Sequence, residues 1–147
     1  YRRLAERALD KIAPFFPGLA QKWTAGVALP GGDFPVDGVA ALQARLTAQY
    51  PFLSDRWAMR LVKAYGGEAF DVLGEAKTAK DLGQAFGADL TAREVTWLVE
   101  KEFARTAEDI VWRRSKLGLR MSITEIEALD AWLAERPAAV TQRRAAH

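Results

Sequence analysis

The side chains with the most chemical potential in this sequence are cations, and they cluster. Arg105, Arg113, Arg114, Lys116 and Arg120 fall in one stretch, "EFARTAEDIVWRRSKLGLR", residues 102–120. At helical spacing Arg113 and Lys116 are neighbours, and Arg113 and Arg120 lie about two turns apart on nearly the same side. Three uses compete for them. They form a solvated or internally paired face, they meet an anionic surface (a membrane leaflet or an acidic partner domain), or they bind duplex DNA. DNA has the least support. The chain has 21 cations against 19 anions, a net charge of only +2. It shows no clear helix-turn-helix pattern and no aromatic interleaving of its cations.

Other chemistries find less to work with. Glu108 and Asp109 are adjacent, and Glu125 and Glu127 are two apart, so neither pair shares a helix face for acid–base work. Glu108 and Asp109 sit in a first turn, where acids complement the helix dipole. Glu102 ends an apolar run on the side of Leu98 and Val99, and structural pairing with an arginine is expected. There is no cysteine, which excludes disulfides, thiolate metal ligands and a cysteine nucleophile. The one histidine, His147, is the last residue, a poor place for a catalytic base. With these donors no transition-metal site is expected. No dinucleotide fingerprint, Walker loop or nucleophile elbow occurs. "LPGGDFP" neither follows a strand nor opens a helix, so it reads as a structural turn rather than a phosphate cradle. Trp57, Trp97, Trp112 and Trp132 lie in helical segments and read as packing residues rather than a ligand cage.

These residues must be positioned by helices. Leu4, Ala5, Ala8, Leu9 and Ile12 share one face of a first helix, which Pro14 and Pro17 stop. Residues 14–36 are rich in glycine and proline and read as an ordered arm carrying Trp23, Leu29 and Phe34. Asp37 is the expected N-cap of a helix through Leu42 and Leu46 to about Gln49. Ser54 caps the next, whose Trp57, Leu61, Val62 and Tyr65 face one side, and Gly66 and Gly67 end it. A short helix follows at "EAFDVL", then a turn-rich segment with Leu82, Phe86 and Leu90. Three capping boxes come next: Thr91 with Glu94, Thr106 with Asp109, and Ser122 with Glu125. The last helix is expected to end at Pro137, leaving residues 137–147 as a tail. No alternation is strong enough for a sheet. The fold class is all-α, a compact bundle of about five to seven helices with a Gly/Pro-rich arm near its start.

Half of the 147 residues are apolar, enough for a single core. No apolar run approaches the roughly 20 residues of a spanning helix. The chain opens "YRRLAERALDK", without a signal-peptide pattern and without an initiator Met, so it is expected to start inside a longer protein.

Taken in order, "YRRLAERALDK", "ALPGGDFP", "YPFLSDRWAMRLVKAYGGEAFDVL", "LTAREVTWLVEKEFARTAEDIVWRRSKLGLRMS" and "EIEALDAWL" resemble the C-terminal region of aerobic, FAD-dependent glycerol-3-phosphate dehydrogenases and alpha-glycerophosphate oxidases. The most specific part runs from Glu102 to Leu119. The resemblance implies a parent enzyme that oxidises glycerol 3-phosphate to dihydroxyacetone phosphate on FAD, passing electrons to quinone or oxygen. It implies that residues 1–13 match the last helix of the FAD domain, 14–36 a connecting arm and 37–136 a helical cap. It carries over no catalytic, cofactor-binding or metal residue, because the family's substrate and FAD groups lie outside this region. The implied partner is the FAD and substrate domain of the parent. The implied location is cytoplasmic, with peripheral contact to the membrane if the cations serve an anionic surface. A nucleic-acid or protein-interaction module using residues 105–120 is the alternative.

Overall fold

A computed structural model describes residues 1–18 and 20–135. Helix α1 (Arg2–Ile12) is followed by one tight turn at Ala13–Phe15, with Pro14 in its first positions. Helices α2 (Val39–Gln49), α3 (Asp55–Tyr65) and α4 (Ala69–Leu73) come after the arm. A short hairpin, β1 (Ala85–Gly87) and β2 (Leu90–Thr91), leads into α5 (Ala92–Lys101). A π-helical segment, Asp109–Arg114, and a 3-10 turn, Leu117–Leu119, connect to α6 (Ile123–Ala134). Six α-helices among the described residues agree with the all-α expectation. Pro137, expected to stop the last helix, lies outside the described residues, as does His147.

The core belongs to residues from α2 onward. Leu46, Leu61, Leu82, Leu90, Val95, Leu98, Ile110 and Leu129 are essentially sealed from solvent. On α2, α3 and α5 the buried residues recur at three and four, Leu42 with Leu46, Ala58 with Leu61, Val62 and Tyr65, and Val95 with Leu98, which turns one face of each helix inward. Trp57, Trp97 and Trp132 pack against this core, and Trp132 meets Phe86 edge-on with ring centroids 5.3 Å apart. Packing is therefore the role of these three indoles.

Helix α1 is different. None of its residues is buried, and Leu4, Leu9, Ile12, Phe15 and Phe16 are exposed. The arm folds back on it: Thr24 donates to Glu6 at 2.7 Å and Lys22 pairs with Asp10 at 2.6 Å. The arm is fixed to the core by its glycines. Gly31, with φ +73°, lies so close to the end of α3 that a Cβ would stand 2.1 Å from the Tyr65 carbonyl oxygen. Its own carbonyl accepts from Gly67 N at 2.8 Å. Only glycine tolerates both the backbone conformation and the approach.

Some capping expectations fail for identifiable reasons. The cap of α2 is Gly38, not Asp37, and no side chain caps it. Residues 35–38 instead close a turn in which Gly38 N donates to Pro35 O at 2.8 Å. Ser54 does cap α3, accepting from Trp57 N, and the Ser122–Glu125 box is complete. Thr106 Oγ accepts from Asp109 N while Asp109 accepts from Thr106 N, so that box also forms. The Thr91–Glu94 box does not, because Thr91 makes no capping bond and Glu94 has other partners inside the protein. An unpredicted box, Thr78 with Asp81, opens the turn at Ala79–Leu82. The hairpin was also not anticipated. Its turn places Ala88 at φ +47° and Asp89 at φ +68°, the two positive angles a tight hairpin turn requires, on residues that do not advertise them.

Candidate functional site

Residues 102–120 do not form one continuous helix. The stretch from Asp109 to Arg114 winds as a π-helix, and Ser115 N donates to Ile110 O at 3.0 Å, five residues back. Lys116 then takes a left-handed backbone, φ +58°, and the chain turns into Leu117–Leu119. The continuous helical spacing that would put Arg113, Lys116 and Arg120 on a common side is thus broken by the π-turn and the left-handed Lys116. A π-turn holds one extra residue per turn and recurs at functional sites. The glycine between the two leucines has a steric role: a Cβ on Gly118 would stand 2.6 Å from the Trp112 ring. The Trp112 indole covers that glycine and fixes the turn.

Each cation of the cluster has a definite place. Arg113 pairs with Asp109 and, at 3.3 Å, with Glu108. Arg114 pairs with Glu102 at 3.0 Å, fulfilling the expectation for that acid. Arg120 pairs across the chain with Asp89 at 3.3 Å. The Lys116 ammonium donates to the Trp112 carbonyl. Arg105 is exposed and pairs with no acid among the described residues. Asp109 accepts from the Arg105 and Thr106 backbone N–H groups and from Arg113, and these bonds hold its carboxyl well below the usual carboxylate range. The pairs Arg114–Glu102 and Arg120–Asp89 leave about a third or more of each side chain in water. Pairs this exposed are generally worth between about 0 and 1 kcal/mol.

Beside this segment lies a cleft that the spacing of residues 102–120 could not announce. It is lined by Arg56, Met59, Arg60, Lys63 and Ala64 of α3 and by Arg114, Ser115 and Arg120 opposite. Arg60 is committed inward. Its guanidinium grips both oxygens of the buried Glu94 at 2.7 and 2.8 Å and donates to Asp89 O at 2.8 Å. The Tyr65 hydroxyl donates to the same carboxylate at 2.7 Å. Burial, and then the neighbouring charge of Glu94, push the Tyr65 hydroxyl far above its ordinary pKa. This triad ties α3 to α5 and the hairpin. The sequence signal was available only in part: Arg60 and Glu94 are far apart in the chain, and Glu94 was read as a capping acid.

No dinucleotide-binding sheet is formed, and no open glycine-rich phosphate loop at residues 29–35, among the described residues. Their only sheet is the two-stranded antiparallel hairpin, and Gly31 of the glycine-rich turn is filled by the Tyr65 carbonyl rather than open to a phosphate. Among the described residues no group of three or more His, Asp or Glu side chains is placed to hold a metal ion. No helix among them is long and apolar enough to cross a membrane.

Comparison with known proteins agrees with the order of motifs. A family model described as the C-terminal domain of alpha-glycerophosphate oxidase matches residues 22–136. The chain is 38% identical over 135 residues to the aerobic glycerol-3-phosphate dehydrogenase of Escherichia coli, covering 92% of this chain and 27% of that protein. It is 42% identical over 133 residues to the glycerol-3-phosphate dehydrogenase of Pseudomonas aeruginosa, covering 90% of this chain and 26% of that one. It is 33% identical over 132 residues to the D-erythritol 1-phosphate dehydrogenase of Brucella abortus, with the same two coverages, 90% and 26%. The chain thus spans about a quarter of the length of the curated relatives it matches. With the model covering most of its length, the chain belongs to the family of C-terminal domains of alpha-glycerophosphate oxidase.

Proposed function

We propose that this chain is the helical accessory domain of an FAD-dependent glycerol-3-phosphate dehydrogenase, one that docks on the catalytic portion and supplies no reacting group itself. The observation that carries this reading is the unpartnered face of α1. Leu4, Leu9 and Ile12 share a face yet stand in solvent, and Phe15, Phe16, Trp23, Val27 and Leu29 extend the exposed apolar surface along the arm. Such a surface on a water-facing helix marks an interface. The relatives are several times longer than this chain, so a preceding catalytic portion is the natural occupant. The names of the relatives also support an accessory role. The matching region serves proteins named for glycerol 3-phosphate and for D-erythritol 1-phosphate, as expected of a region that does not select the polyol. In this arrangement Arg113, Arg114 and Arg120 brace the domain internally, and Arg105 is left for contact with the catalytic portion or an anionic surface.

The test exchanges this chain for the matching region of the Pseudomonas aeruginosa relative. The chimera is expected to oxidise glycerol 3-phosphate with a dye acceptor and to lose assembly when Leu4, Leu9 and Ile12 are all changed to Gln. Turnover by this chain alone would overturn the reading. So would a Gln variant that assembles as well as its parent.

A further inference from the structure

We propose that the cleft between α3 and residues 114–120 is a binding site for a phosphate group. This goes beyond the accessory-domain reading and needs only the residues of this chain. The first support is composition. Arg56, Arg60, Lys63, Arg114 and Arg120 line the cleft, and no acid does, although the chain as a whole has nearly as many acids as cations. Two other clefts among the described residues show the opposite bias. One is lined by Glu6 and Asp10 with a single lysine, and the other by Glu108, Glu127 and Asp130.

The second support is geometry. Arg56, Met59, Arg60, Lys63 and Ala64 follow the three-and-four spacing of one helix face, so Arg56 and Lys63 stand two turns apart, about 10 Å along the axis, on the same wall. Both are exposed, and neither pairs with an acid among the described residues. Arg114 and Arg120 form the facing wall. Each spends one terminal nitrogen on its carboxylate, Arg114 Nη1 on Glu102 and Arg120 Nη2 on Asp89. A guanidinium has five N–H donors, so both keep donors for a second acceptor. The π-turn, the left-handed Lys116 and the Trp112–Gly118 contact set where these two arginines emerge.

The third support is charge. Glu94 neutralises Arg60, and Glu102 and Asp89 neutralise Arg114 and Arg120. Arg56 and Lys63 leave two positive charges unmatched, the complement of a phosphate monoester dianion. The oxygens of a tetrahedral phosphate can accept from both walls at once, and arginine forks suit them. A carboxylate or a chloride ion carries a single negative charge and fewer acceptor oxygens, so it matches the two unmatched cations less well.

Titration of the 147-residue chain with inorganic phosphate, followed by NMR of its arginine and lysine side chains against chloride at equal ionic strength, tests the proposal. Saturable binding is expected, with shifts at Arg56, Lys63, Arg114 and Arg120. The double variant Arg56→Gln/Lys63→Gln should weaken it about tenfold or more, as expected when charge-assisted hydrogen bonds are lost. Lys80→Gln, at an exposed cation outside the cleft, should leave it unchanged. A second arm sediments the chain with phosphatidylcholine vesicles carrying phosphatidic acid. Vesicle binding that the double variant abolishes, without binding of free phosphate, assigns the same site to a lipid headgroup. Three results overturn the proposal: no response beyond chloride in either arm, a double variant that binds like the parent, or a Lys80→Gln variant that weakens binding as much as the double one.

Discussion

Two sets of ion pairs in this molecule use the same residue types and differ in what surrounds them. Arg60 and Glu94 meet inside the protein, with side chains 15% and 2% exposed, and Tyr65 adds a third hydrogen bond. Arg114 and Glu102 meet at the surface, 41% and 38% exposed. In the first case water cannot replace a lost partner, so the pair is costly to break. In the second, water stands ready, and the arginine can exchange one anion for another. The interior pair therefore belongs to the fold, and the surface pair is available for function.

Removing one partner of the interior pair should produce the largest effect. Glu94→Ala strands the Arg60 guanidinium and the Tyr65 hydroxyl, and a destabilisation of about 3–5 kcal/mol is expected. Chemical denaturation measures it. The double variant Arg60→Met/Glu94→Leu should recover most of that loss, because the penalty comes from an uncompensated charge rather than from a lost attraction. A double variant as unstable as the single one would show that the pair itself contributes net stability.

Tyr65→Phe comes next. It removes a hydrogen bond to a charged acceptor and should cost about 1.5–3 kcal/mol. It also carries a pH signature. The folded-state pKa of Tyr65 is raised, so its contribution is complete below the unfolded value of about 10 and declines as pH rises above it. Stability of the parent should therefore fall more steeply than that of Tyr65→Phe on the alkaline side of pH 10. Parallel curves would mean that the hydroxyl is not sealed against ionisation. At the surface, Arg114→Gln should cost less than about 1 kcal/mol, and a loss comparable with Glu94→Ala would erase the distinction between the two sets.

The sequence carried these regions unequally. Helix ends were readable where a local group decides them. Ser54, the Ser122–Glu125 box and Gly66 each act within a turn of their own position. The Glu94 environment was not readable, because a T-x-x-E pattern looks the same whether its acid caps a helix or turns inward to an arginine 34 positions away. The hairpin was missed because its two left-handed residues are Ala88 and Asp89, where a glycine would have been the signal. The cations of residues 105–120 were found, but their grouping was not. Helical spacing placed Arg113 with Arg120, whereas the π-turn and the left-handed Lys116 separate them and set Arg120 beside Arg56 and Lys63. The amphipathic face of α1 was legible, and its lack of cover became visible only in three dimensions.

The smallest expected effect at neutral pH tests the start of the basic segment. Asp109 is partly exposed, and the Arg105 and Thr106 N–H groups and Arg113 hold its pKa down. A lowered folded-state value means that the contribution is complete above the unfolded value of about 4 and is lost as pH falls. Asp109→Asn keeps an oxygen that can accept from the same N–H groups, so near pH 7 it should melt close to the parent. Below about pH 4 the two should diverge in slope, with the parent losing stability as its carboxylate protonates and the variant insensitive at this position. Thermal melts between pH 2 and pH 7 measure the slopes. Identical acid limbs would mean that water serves those N–H groups as well as Asp109 does. The carboxylate would then be dispensable to the π-turn, and the turn's geometry would rest on the Trp112–Gly118 contact and on Ser115, whose hydroxyl donates to Ile110 O at 2.7 Å.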